Sequence, residues 1–167
     1  MLEIFNTFNA TLGLTSLIVG VVTFIIYLLA VRSDFGNVKS ISMSYYYVKP
    51  HWLFQVFIWV SAASIMLSAQ TLMHMIAGTC LLIMAAYPTI KEKKFYVPHM
   101  IFAISGITTA VLGLGIEFGL WWLIGIGVVL AGIATLLTFK KDTYIYWIEV
   151  ISIATVIIGI FIGRYLK

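Results

Sequence analysis

The residues best able to do chemistry in this 167-residue chain are one acid and two histidines. Glu149 stands inside an apolar run from Thr143 to Gly163, and an acid within such a run is costly unless it faces a bundle interior or a wet cavity. It lies about six residues, roughly 9 Å at 1.5 Å per residue, from the polar start of that run. His51 opens one apolar run and His99 opens another, so all three belong to one depth once the runs are taken as membrane spans. At 100° per residue, Glu149, Ser152, Thr155, Gly159 and Gly163 share the small and polar side of their helix. His51 and Gln55 fall on one stripe, as do His99, Ala103, Gly106, Ala110, Gly113 and Glu117. The ligand pocket this predicts is walled by His51, Gln55, His99, Glu149 and Ser152, with Tyr45 and Tyr46 covering its mouth.

A plainer assignment exists for each residue. His51 and His99 would reach lipid headgroups, and Glu149 would pair with Lys140 or Lys141 at the surface. His74, near the far end of its run, reads as a packing or headgroup contact. Two histidines and a carboxylate also make a known catalytic zinc set, so His51, His99 and Glu149 are the alternative metal ligands, although no two of them have helical i, i+4 spacing. No other cofactor is called for.

The elements that would position these groups follow from composition. Hydrophobic residues are 62% and charged residues 10% of the chain, with mean hydropathy +1.09. Soluble domains carry about 25% charged residues, so this composition specifies an all-α integral membrane protein. The formal charge of +4 is scattered over short loops and forms no basic face for nucleic acid. Cys80 is the only cysteine, which excludes an intrachain disulfide and a thiolate-rich metal site. No Lys or Arg precedes Arg32, so the first apolar run is expected to be kept as a span rather than cleaved as a signal peptide.

A crossing needs about 20 apolar residues. Residues 1–11 read as an external lead-in, and the first span covers about 12–31, stopped by Arg32. Residues 32–51 are the longest polar segment, with Ser33-Asp34-Phe35-Gly36-Asn37 as turn chemistry and an extended or interfacial stretch after it. The nearly uncharged run from His51 to Ile90 is too long for one crossing and is predicted to be a hairpin, spans 52–69 and 71–90, turning at Ser68-Ala69-Gln70-Thr71. A second hairpin, spans 98–116 and 118–139, turns at Gly115 to Gly119, and a sixth span covers 143–163. The whole chain, 1–167, is then one transmembrane domain.

Six spans gather Arg32, Lys39, Lys49, Lys91, Lys93, Lys94, Lys140 and Lys141 on one side and leave Arg164 and Lys167 on the other. The positive-inside rule makes the first side cytoplasmic and both termini external. Trp121 and Trp122 at one surface, with Tyr144, Tyr146 and Trp147 at the other, fit aromatic belts. Gly159 and Gly163 form a small-xxx-small pair that offers a homo-oligomer contact or packs within the bundle.

The segment Ala85-Ala86-Tyr87-Pro88, a short loop, and then His99-x-x-x-Ala103 resembles a family of uncharacterised six-span bacterial membrane proteins. It is also similar, more faintly, to the eukaryotic six-span group associated with lipid organisation and autophagy modulation. The resemblance implies six spans, a bacterial inner (plasma) membrane setting, a role near membrane lipids, and places His99 at the family's histidine. It brings no established reaction. The chain lacks the paired His-x-x-x-His of membrane-embedded ceramidase-like hydrolases, and Asp34, read as a loop residue, is not the intramembrane acid that superfamily would want.

Three functions follow as expectations: a lipid- or amphiphile-binding or transporting bundle without catalysis, a metal-dependent intramembrane lipid hydrolase, and a homo-oligomeric channel. The orientation has its own check. In a Cys80→Ala background, Lys93→Cys and Lys141→Cys are expected to resist impermeant external thiol reagents while Asn6→Cys reacts, and the reverse labelling pattern would overturn the orientation.

Overall fold

A computed structural model of the chain describes residues 2–36, 38–87 and 93–166. Among these residues there are six α-helices: α1 (Leu2–Phe35), α2 (Trp52–Ala69), α3 (Leu72–Ala86), α4 (Lys93–Phe118), α5 (Trp121–Thr138) and α6 (Tyr144–Phe161). A short 3-10 helix, Ser42–Tyr46, lies between α1 and α2. Another, Phe139–Lys141, leads into α6, and a π-helical turn, Ile162–Leu166, ends it. The described chain contains no strand.

Five of the six helices are long and apolar enough to cross a membrane, and α3 is a shorter apolar helix of 15 residues. Leu136 and Leu137 of α5 are 82% and 73% exposed, and Leu29 of α1 is 62% exposed. Side chains this apolar, outward-facing in rows along several helices, are at home in hydrocarbon and not in water. The chain is an integral membrane protein built as a helical bundle.

The hairpin turns stand where the polar and glycine residues predicted them. The α2–α3 turn is made by Gln70, which takes the left-handed conformation at φ 53°, and Thr71. The α4–α5 turn uses Gly119 at φ 69°, a backbone state that carries no Cβ penalty for glycine. Other boundaries shift. Residues 2–11 continue α1 instead of leading into it, and Arg32 does not stop the helix, which runs through Asp34 to Phe35 before Gly36 turns at φ 70°. The stretch expected to be extended is the 3-10 helix Ser42–Tyr46. Helix α4 starts at Lys93, before Pro98 and not at it, and Pro98 sits in the early turns where few intrahelical bonds are lost. Asn37, Pro88, Ile90, Lys91 and Glu92, including the loop half of the family-like motif, lie outside the described residues.

Helices pack in chain order, α1 on α2, α2 on α3, α3 on α4; α6 then lies against α4 and touches α1 and α2, and α5 packs on the outside of α6. Missing side chains allow the closest approaches. A Cβ on Gly20 of α1 would lie 2.6 Å from Ser64 Cβ of α2, and one on Gly78 of α3 would meet the Met66 side chain and the Ala62 carbonyl. On α6, a Cβ at Gly159 would strike Leu114 and one at Gly163 would strike Phe118, both on α4. The small-xxx-small pair therefore packs within the chain, against α4.

The core has two parts. One, toward the α2–α3 turn, contains Leu17, Ile65, Ala69, Ala77, Ala110, Leu114 and Ile160. The other, toward the lysine-rich end, contains Phe24, Phe54, Phe57, Ile58, Met84 and Ala85 together with Ile41. Ile41 belongs to the α1–α2 connection and not to any long helix, so that connection is part of the core.

Candidate functional site

The connection after α1 folds into the bundle mouth. Val38, Ser40, Ile41 and Ser44 are buried, Ser44 completely, which is unusual for a polar connecting segment. Its own geometry is a single 3-10 turn: Ser44 N–H donates to the Ile41 carbonyl at 3.0 Å, and Tyr47 and Val48 N–H both donate to the Ser44 carbonyl. Ser40 Oγ accepts the Met43 N–H at 3.0 Å in the manner of a cap.

The helices hold this plug from several directions. Glu149 of α6 accepts the Ile41 N–H at 2.5 Å. Tyr27 of α1 shares a 2.6 Å hydrogen bond with Ser44 Oγ while its ring stacks on Phe57 of α2 at 4.0 Å between centroids. His99 of α4 is almost fully buried. Its Nδ1 donates to the Tyr87 carbonyl at 2.9 Å, so in the neutral ring Nε2 accepts from Ser42 Oγ at 3.1 Å. At the rim, Tyr146 N–H donates to the Lys39 carbonyl, and Lys39 pairs with Asp142 at 3.1 Å. That ion pair is exposed, and such pairs contribute little. The less exposed bonds of Glu149, Tyr27 and His99 hold the segment more firmly.

Beneath the plug is a cavity of about 60 Å³. Its walls are mainly Phe57, Ile58, Ile65, Leu81, Met84 and Ile107, with Ser42, Ser61 and Glu149 as the polar members. Glu149 thus turns inward and away from Lys140 and Lys141, as its helical phase requires. Its hydrogen-bond partner is the plug backbone, and His99 reaches the same segment at the neighbouring residue. The two side chains act on Ile41 and Ser42 in parallel.

The remaining predicted pocket residues scatter around this site. His51 is exposed; its Nδ1 donates to the Tyr45 carbonyl at 2.7 Å and its ring stacks on Tyr45 at 4.8 Å. Tyr45 also meets the buried Phe54 edge-on, and Tyr46 meets Tyr45 edge-on at 5.3 Å, so Tyr45 packs half-buried against the core beneath the plug. Gln55 donates to the Ala85 carbonyl at 3.3 Å and ties α2 to the end of α3. Ser152 faces a separate cleft against α5, beside Thr155, Ile124 and Gly127. The set His51, His99 and Glu149 is not gathered: among the described residues no three His, Cys, Asp or Glu side chains are placed to hold a metal ion.

A second polar cluster, not foreseen, closes the opposite end. His74 of α3 is fully buried, with Nδ1 2.7 Å from Thr71 Oγ1 and 3.0 Å from Glu117 Oε2 of α4. The other Glu117 oxygen accepts the Met73 N–H at 2.9 Å. Glu117 is thus a helix-to-helix clamp. Arg164 completes that end by donating to Gln70, whose amide reaches the Asn9 carbonyl. The signal was present in the sequence: Thr71 and His74 have i, i+3 spacing just after one turn, and Glu117 lies just before the other.

No family model, no curated protein and no solved structure matches this chain.

The plug's anchoring makes a direct expectation for Glu149. Glu149→Ala leaves the buried Ile41 N–H without an acceptor, at a cost of about 1–3 kcal/mol, whereas Glu149→Gln keeps an acceptor there. Thermal unfolding of the purified protein should show Ala well below wild type and Gln close to it. Equal melting temperatures for Ala and wild type would contradict the anchor.

Proposed function

We propose that the protein is a six-span bacterial inner-membrane bundle that binds a phospholipid-like amphiphile, in a groove between α1 and α2 at its lysine-rich, cytoplasmic end. The observation that carries this reading is a groove of about 440 Å³, walled by Ile26, Ala30, Leu53 and Val56 and bearing Asp34 and Lys49 at its polar end. Ligand pockets commonly span about 300–1,000 Å³. The interior cavity, at about 60 Å³, is too small for a lipid chain, so the amphiphile-binding role moves from the interior residues to this outer groove.

Apolar walls with one cation and one anion at a single end suit a zwitterionic headgroup above an acyl chain. Lys49 meets the phosphate and Asp34 the amine, while the chain lies along α1 toward Thr23. Asp34 serves here as the last turn of a helix and not as a loop residue, which is what brings it to the groove. Both charges sit at headgroup level, where their solvation cost is small.

Six crossings are supported by the course of α3. At 1.5 Å per residue its 15 residues cover about 22 Å, short of a bilayer's roughly 30 Å. Yet its first turn meets Glu117 at the far end of α4 and its last turn meets Gln55 at the near end of α2. Packed between two longer helices, it returns the chain across the bundle, which keeps Lys39, Lys49, Lys94, Lys140 and Lys141 together.

Native mass spectrometry tests the groove. Wild-type protein extracted mildly from membranes is expected to retain a zwitterionic phospholipid; Ala30→Trp, which fills the groove from an exposed position, should lose it, and Lys49→Ala should weaken retention several-fold. Undiminished lipid on Ala30→Trp would refute the site.

A further inference from the structure

The cavity under the plug has an acidic side chain in its wall that the fold leaves short of partners. Glu149 brings a carboxylate to its wall, and the hydrogen bond it receives comes from a neutral amide, Ile41 N–H. No Lys, Arg or His is among the lining residues. A carboxylate held in an apolar interior without a counter-charge costs several kcal/mol. The two hydroxyls on the same wall have oxygen lone pairs to offer. Ser61 Oγ of α2 is shielded from solvent and has no hydrogen-bond partner among the described residues. Ser42 Oγ spends its proton on His99 Nε2, which leaves its oxygen free to coordinate. Three elements thus turn oxygen donors, and no nitrogen donor, toward one small space.

We propose that this cavity binds a monovalent cation of sodium size, coordinated by Glu149, Ser42 and Ser61. One carboxylate supplies a single negative charge, which a monovalent ion neutralises. Calcium demands about six to eight oxygens and magnesium a near-ideal octahedron, which a single carboxylate and two hydroxyls serve poorly. The volume of about 60 Å³ equals roughly two waters at about 30 Å³ each, enough for an ion with one or two waters. Because Ser42 belongs to the plug and Glu149 holds the plug's Ile41 N–H, the ion and the closed mouth stabilise each other through linkage. This site is separate from the amphiphile groove; Phe57 lines both and stands between them.

Thermal unfolding of the purified protein in sodium chloride against choline chloride at equal ionic strength tests the site. Saturating sodium is expected to raise the melting temperature by a few degrees. Glu149→Gln retains an acceptor for Ile41 N–H and therefore folds, but it should lose the sodium-dependent rise. Ser61→Ala removes a hydroxyl with no other bond and should raise the half-saturating sodium concentration about tenfold, the equivalent of about 1.4 kcal/mol. Identical melting in sodium and choline, or a sodium shift that survives in Glu149→Gln, overturns the proposal; an unchanged half-saturation in Ser61→Ala removes Ser61 from the site. Lipid retention is a different readout, so either site can fail without the other.

Discussion

Backbone amides and carbonyls at membrane depth have to find partners inside the protein, and non-helical backbone survives there only when something else satisfies it. The segment from Val38 to Tyr47 meets this constraint at the mouth of the bundle. Part of the solution is internal, through the 3-10 turn around Ser44. The rest is supplied from outside the segment by side chains that would otherwise be expensive at their positions: Glu149, His99 and Tyr27. Each buried polar group offsets another, so the acid in α6 and the histidine in α4 are accounted for together with the segment that they hold.

The placement of α6 makes this possible. Gly159 and Gly163 let it approach Leu114 and Phe118 of α4, and Gly127 of α5 packs against Thr155 from the other side. A helix set this deeply presents Glu149 to the interior and not to lipid. At the far end, His74 and Glu117 clamp α3 to α4 beside the two tight turns. The bundle is closed by a polar cluster at each end with an apolar core between, and the small cavity lies just beneath the plug, where that core begins.

The hairpins were legible because their signals are local: Gln70 and Thr71 break an apolar run, and Gly119 supplies a positive φ. The inward phase of Glu149 was legible for the same reason, since periodicity along a single helix determines it. What escaped depends on contacts between distant segments. Arg32 and Asp34 looked like a helix stop, yet polar residues at a membrane surface can simply extend a helix into the headgroup layer, and α1 does so. Ser152 shares a face with Glu149 on a helical wheel, but that face is wide enough to touch two different neighbours, and α5 takes the Ser152 side. Glu149 and His99 were legible as two polar groups at one depth, but nothing local in the sequence shows that they hold one connecting segment, Glu149 at Ile41 and His99 at Ser42. The Ser-rich composition of residues 40–44, read as interfacial, is what a buried turn needs to satisfy its own amides.

The claim on which the rest depends is that residues 38–47 are seated in the bundle and hydrogen-bonded there. Hydrogen–deuterium exchange of the wild-type protein in lipid nanodiscs measures it most directly, amide by amide. The amides of Ile41, Met43, Ser44, Tyr47 and Val48 are expected to exchange orders of magnitude more slowly than an unstructured chain, at rates comparable with those of the α4 interior. Exchange of those amides at the unstructured rate, with the long helices still protected, would contradict the plug and the account built on it.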